Sequence, residues 1–236
     1  MIELYGLGTS NVLKVIIMLE ELALPFRIRR IDIYQGDQFG EQFARLNPNR
    51  KVPVIVDPEG PEGQPLAIFE SAAILSYLAE KCGRLLPAEG AARYTVLQWT
   101  IFQVAGIGPM FGQFYHFKSA APPGNEYGIV RYQTEVRRLY DVLETRLAAT
   151  PYLGGAEYSI ADIATFPWTI DHDAQGVSWN DHPQLAGWSK AMAERPAVMR
   201  ALALRDALRK QDSESRKTAH ADVVDRVYGR GRHARA

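Results

Sequence analysis

The chain has 236 residues, of which 47% are apolar and 23% charged, the balance of a globular chain forming one large domain or two small ones. Twenty-seven Lys and Arg stand against 27 Asp and Glu, which argues against a general nucleic-acid binder, because phosphate contacts need a basic excess. The single cysteine, Cys82, excludes an intramolecular disulfide and a multi-cysteine zinc site.

In chain order, Ile2-Glu3-Leu4-Tyr5 alternates as a strand does until Gly6 and Gly8 break the pattern. From Asn11 the apolar residues Val12, Val15, Ile16, Leu19 and Leu22 recur at helical spacing. Pro25 ends that helix, and Phe26 to Ile33 returns to period two. Strand, helix and strand of this length predict a parallel pair with a right-handed crossover. Gln38 to Leu46 reads as a short amphipathic helix or turn. Val52–Val56 and Leu66–Phe69 are short apolar runs, and the turn formers from Asp57 to Gly63 between them predict an antiparallel hairpin. A helix follows over Ser71–Lys81. The order βαβ, connector, ββα predicts a thioredoxin-like sheet over residues 1–82 rather than an all-parallel Rossmann unit.

Residues 83–90 form a linker with Gly83, Pro87 and Gly90, and residues 91–208 read as an all-helical domain. Ala91–Gln113 is expected to bend at Gly106, Gly108 and Pro109. Further helices are predicted over Glu126–Ala149, from Ser159, and over Pro183–Glu194 and Pro196–Lys210, the last two with proline in the first turn. In residues 209–236 the apolar pattern stops and eight Lys or Arg face four Asp or Glu, which predicts a basic, disordered tail. No apolar run nears the roughly 18–20 residues of a bilayer span, and Met1–Tyr5 lacks the basic start of a signal peptide. A cytoplasmic protein without membrane or nucleic-acid partners is expected.

The first half holds the residues that carry chemistry. Val52-Pro53 opens a strand, where proline suits the first position. A cis bond there leaves the preceding N–H and C=O facing out to pair with an extended peptide; a trans proline starting the strand is the alternative. Glu70-Ser71 opens a helix, whose free N–H groups bind carboxylates while Glu70 accepts an ammonium. Together they suit an α-amino-acid head, or form an ordinary capping pair. Gly8-Thr9-Ser10-Asn11 stands at the mouth of the first helix, where uncharged donors stabilise an anion, including a thiolate. It is otherwise a plain helix cap. No cysteine lies in this turn, so a reactive thiol has to come with the ligand.

Lys51-Val52-Pro53, Phe69-Glu70-Ser71-Ala72-Ala73-Ile74 and the capping box Ser159-Ile160-Ala161-Asp162, in this order of elements, resemble the glutathione S-transferase superfamily over about residues 1–208. Thr9-Ser10-Asn11, Gln38-Phe39, Asn47 to Pro53, Gly106 to Gly112 and Tyr152 to Ser159 are similar to its bacterial nu class, whose members are glutathione-dependent disulfide reductases and organic peroxidases. The resemblance implies that Glu70 and Ser71 hold the γ-glutamyl end of glutathione, that Val52 and Pro53 pair with its cysteinyl part, and that Lys51 approaches the glycyl carboxylate. It also implies that Gln38 and Arg131 contact the ligand, and that Thr9 and Asn11, with Ser10, lie at the sulfur. Ser10 stands where the class commonly has proline, which adds a donor or loosens the turn. Tyr5 falls near the register of the catalytic tyrosine of other classes and is a second candidate.

The resemblance further implies a homodimer, glutathione as co-substrate, and small thiols, disulfides or peroxides as partners. Conjugation of glutathione to an electrophile, or ligand-dependent regulation without catalysis, are the alternatives. Phe111 and Tyr115 are expected to line a co-substrate pocket. Asp162 is expected to be a buried cap. Cys82 is expected to be structural, and His116, His172 and His182 share no metal-ligand spacing, so no metal is expected.

Overall fold

A computed structural model describes residues 1–234. The chain divides into two compact units, residues 1–74 with 199–236, and residues 75–198.

In the first unit, β1 (Ile2–Gly6), α1 (Ser10–Glu21) and β2 (Phe26–Arg30) form the expected strand–helix–strand segment. α2 (Glu41–Leu46), β3 (Val54–Asp57) and β4 (Leu66–Phe69) follow, and α3 (Ser71–Cys82) begins in this unit and runs into the second. The sheet order is β2-β1-β3-β4. β1 runs parallel to β2 and antiparallel to β3, and β3 runs antiparallel to β4, so the fold is thioredoxin-like. The apolar stripe of α1 is buried through Val12, Val15, Ile16 and Leu19, which anchors the helix by removing apolar surface from water. Ile31, Phe43 and Val54 form a second core with Tyr5, Ile33, Leu46 and Val52 packed against it.

The second unit holds α4 (Gly90–Phe102), α5 (Gly108–Ser119), α6 (Glu126–Ala149), α7 (Ile160–Thr169) and α8 (Pro183–Ala193). The bend expected around Gly106 is a π-helical segment, Gln103–Ile107, joining α4 to α5. Asp162 is fully buried and closes a capping box with Ser159 at the start of α7. Its carboxylate accepts from the backbone N–H groups of Leu153 and Ser159, the Ser159 hydroxyl and the Trp188 indole, at 2.9–3.1 Å.

The tail departs from expectation. α9 runs over Pro196–Lys217 and α10 over Ala221–Tyr228, and the segment from 199 onward belongs to the first unit. Ala201, Arg205, Leu208, Asp212 and Ser215 follow one another at steps of three and four along the shielded side of α9. Polar members of that stripe hide it from an apolar-periodicity reading. Asp212 takes the Gly8 N–H at 2.8 Å and Arg30 at 3.0 Å, and Arg209 donates to the Gly8 carbonyl at 3.1 Å. In α10, Val223 lies against Gly36 and the Arg226 guanidinium rests 3.7 Å from the centroid of the Phe39 ring.

Candidate functional site

The sheet register gathers the chemistry. Tyr5 at the C-terminal end of β1 pairs with Val54 at the start of β3, and Val54 pairs with Phe69 at the end of β4. The turn after β1, the bond before β3 and the residues after β4 therefore emerge along one edge of the sheet. These are Leu7–Asn11, Val52-Pro53 and Glu70-Ser71.

Thr9 is the N-cap of α1, in extended backbone at φ −91° and ψ 159°. Its carbonyl accepts from Leu13 N–H at 2.9 Å, but its side chain makes no capping bond. The Thr9 Oγ1 is buried and has no partner among the described residues. Ser10 and Asn11 are the first two helical residues, both half-buried. Their N–H groups belong to the first turn, which lacks intrahelical acceptors and carries the positive end of the helix dipole. A Cβ on Gly8 would stand 2.9 Å from the Arg209 backbone nitrogen, so glycine is what lets α9 grip this turn.

Val52-Pro53 is cis. Val52 lies before the β3 ladder, and neither its N–H nor its C=O has a partner among the described residues. The loop leading to it is braced by buried Asn47, whose amide donates to the Lys51 carbonyl at 2.7 Å while its oxygen accepts from Asn49 N–H. Lys51 itself is exposed. Gln38 is buried, donates to the Ile33 carbonyl at 3.4 Å and leaves its Oε1 without a partner among the described residues.

Glu70 sits at φ +71°, a left-handed conformation, and its carbonyl accepts from Ile74 to start α3. Ser71 is the first helical residue and is buried. Beneath it lies Lys14, 1% exposed, whose Nζ donates to Ser71 Oγ at 3.3 Å. Burial pushes the Lys14 ammonium down to about 7, while Glu70 acts to raise it.

Tyr5 offers no free hydroxyl for a sulfur, because it donates to Glu3 at 2.9 Å. Burial, then the Glu3 bond, holds its phenol above the usual range. Of the residues expected from the second unit, Arg131 is exposed on α6 and lies 3.9 Å from Glu135. Tyr115 is half-buried and its hydroxyl accepts from Gln175 at 3.4 Å. Phe111 is fully buried and stacks on Tyr140 with centroids 5.2 Å apart. Among the described residues no three His, Cys, Asp or Glu side chains are placed to share a metal, and no helix is long and apolar enough to cross a membrane.

Sequence reasoning missed Lys14, Asn47, Arg209 and Asp212. Lys14 is the one charged residue within the buried run from Val12 to Leu19, and that position was the signal available. A concavity of about 710 Å³ was also not foreseen; it is lined by Phe39, Asn49, Arg50, Arg226, Arg232 and His233, and α10 and the residues after it complete it.

Comparisons with known proteins agree on one relationship. Residues 10–81 match the glutathione S-transferase N-terminal domain and residues 126–191 the C-terminal domain. The chain is 46% identical over 203 residues to the disulfide-bond oxidoreductase YfcG of Escherichia coli, covering 86% of this chain and 94% of the relative. A glutathione transferase family member from Pseudomonas fluorescens, solved with two glutathione molecules bound, is 44% identical with a TM-score of 0.81 over 85% of this chain and 92% of that one. A glutathione transferase from Pseudomonas putida, solved with one glutathione disulfide per subunit, is 42% identical with the same TM-score over 85% and 90%.

Proposed function

We propose, for a chain that belongs to the glutathione S-transferase family, that it is a glutathione-dependent disulfide-bond oxidoreductase and organic peroxidase of the nu class. The observation that carries this reading is the Thr9 hydroxyl, buried at a helix N-terminus with no protein partner among the described residues. A cap that leaves its own oxygen unspent suits an external anion. Thr9, Ser10 and Asn11 receive the sulfur of glutathione, Val52 pairs with its cysteinyl backbone, and Glu70 and Ser71 take its ammonium and carboxylate. Gln38 and Lys51 are assigned to the rest of the tripeptide.

A thiol near its ordinary value is only a few per cent ionised at neutral pH. Lowering it by two units requires about 2.7 kcal/mol of preference for the thiolate. One or two hydrogen bonds to the anion, at about 1.5–3 kcal/mol each, supply that. The thiolate then attacks one sulfur of a disulfide, forming a mixed disulfide and expelling the other half as a thiolate, which takes a proton from solvent. A second glutathione thiolate attacks the glutathione sulfur of the mixed disulfide, giving glutathione disulfide and the second thiol. Two glutathiones are oxidised for each disulfide reduced, and Cys82 is not needed. We place the enzyme in the cytoplasm as a homodimer.

The test is turnover of purified protein with glutathione and a small model disulfide, beside an aromatic chloride and an organic peroxide. Disulfide and peroxide reduction without conjugation is expected, and Asn11→Ala is expected to cut reduction at least tenfold with the fold intact. Full activity in both Asn11→Ala and Thr9→Ala refutes the assignment of the turn. Conjugation of the chloride without disulfide reduction refutes the assignment of the reaction.

A further inference from the structure

We propose that Lys14 is the cationic floor of the subsite for the α-carboxylate of glutathione, and that it takes up a proton from solvent when that carboxylate binds. The inference rests on the reading of Glu70 and Ser71 given above, and it adds a residue from outside that set.

Lys14 lies one turn beyond Asn11 on α1, among the fully buried Val12, Leu13, Val15, Ile16 and Ile17. An apolar side chain at this position would pack without the desolvation that a lysine amine suffers on charging. What the lysine adds is reach: its Nζ donates to Ser71 Oγ across 3.3 Å. Ser71 opens α3, where the N–H groups of the first turn point outward without helical acceptors. A carboxylate held by those N–H groups also receives the Ser71 hydroxyl proton, because the oxygen of that hydroxyl is already accepting from Lys14. The ligand's negative charge and the amine are then one hydroxyl apart in a region shielded from water, where charges interact far more strongly than in bulk.

Before ligand arrives, Glu70 acts to raise the Lys14 amine and burial opposes its charging. Glu70 is exposed whereas Lys14 is not, so the ligand's ammonium pairs with Glu70 on the solvent side. The carboxylate is held at the inner end, nearest the amine. Binding therefore shifts the largely neutral amine to ammonium, with the proton drawn from buffer.

The experiment is titration calorimetry of the full chain with S-methylglutathione, whose capped sulfur has no thiol proton to lose. It is run at pH 7.5 in two buffers of different ionisation enthalpy. An amine near 7 is mostly neutral at that pH, so uptake of up to about 0.8 proton per ligand is expected. The S-methyl analogue lacking the glutamyl α-carboxylate is expected to bind at least tenfold more weakly and to take up no proton. Lys14→Met is expected to bind S-methylglutathione about tenfold more weakly with no uptake. Lys14→Arg, permanently charged, is expected to bind without uptake. Binding of S-methylglutathione without proton uptake by the unmodified chain overturns the role of Lys14 but leaves the binding site standing; so does equal uptake with the decarboxylated analogue. Absence of any binding overturns the functional reading and this inference with it. The comparison of the two ligands on the unmodified chain decides the matter even where a variant fails to fold.

Discussion

Replacing Asp162 by alanine tests how much of the helical unit depends on one carboxylate. In the intact protein it is fully buried and accepts from Leu153 N–H, Ser159 N–H, Ser159 Oγ and Trp188 Nε1. Alanine leaves those donors without an acceptor in a dry interior, at about 1–3 kcal/mol for each one that cannot relax. Allowing the Ser159 hydroxyl and one further donor to find new partners leaves a loss of about 4–5 kcal/mol. For a chain of this size, 1 kcal/mol corresponds to about 2–4 °C in Tm, so a fall of roughly 10–20 °C is expected. Asp162→Asn keeps an acceptor for Leu153 and Trp188 but turns an NH2 toward the two Ser159 donors, and is expected to lose about half as much. Circular-dichroism melts at pH 7.5 measure the stability, and glutathione-dependent disulfide reduction at 20 °C measures function per folded molecule. A loss under 1 kcal/mol for the alanine variant refutes the hub reading. So does a variant that melts normally but has lost its activity.

Other predictions rest on the first unit. Lys14 is depressed to about 7 from an ordinary 10.5, so between those values the unfolded chain binds more protons than the folded one and stability rises with pH. Lys14→Met removes that slope and is expected to be more stable than the parent near pH 7, by at most about 5 kcal/mol, while converging with it near pH 10.5. Parallel urea-unfolding midpoints for the two proteins from pH 7 to 10 contradict this. Asp212→Ala frees the Gly8 N–H and Arg30 and is expected to lower stability by about 2–3 kcal/mol. It is also expected to lower kcat for disulfide reduction by relaxing the turn that carries Thr9; unchanged kcat and Tm dismiss the brace. Gly8→Ala forces a Cβ to within 2.9 Å of the Arg209 backbone and is expected to reproduce both losses, measured in the same two assays.

Local patterns along the chain were sufficient for the sheet and for the helices before the tail. The alternation in Ile2–Tyr5, the three-and-four spacing from Val12 to Leu19 and the turn-rich stretch between two short apolar runs each record a constraint between near neighbours. A repeating pattern of that kind implies the same element wherever it stands. The capping box is legible for a related reason, since Ser159 and Asp162 meet within one helical turn. The family-like motifs at Thr9, Val52 and Glu70 were legible one by one, but their meeting was not. It follows from the pairing of Tyr5 with Val54 and of Val54 with Phe69, which joins positions far apart in the chain.

Where tertiary structure decided, the residues at stake are polar groups whose partners lie far away in sequence. Asp212 reads as one charge in a disordered tail, yet it accepts from the Gly8 N–H, 204 positions away. Phe111 is an aromatic whose stacking on Tyr140 no local pattern announces. Lys14 carries a charge in an apolar run, and only the fold places it 1% exposed beneath Ser71. Periodicity specifies which side of an element turns inward. Whether a charged group on that side is tolerated depends on a partner supplied from elsewhere in the chain, and only the folded arrangement determines that partner.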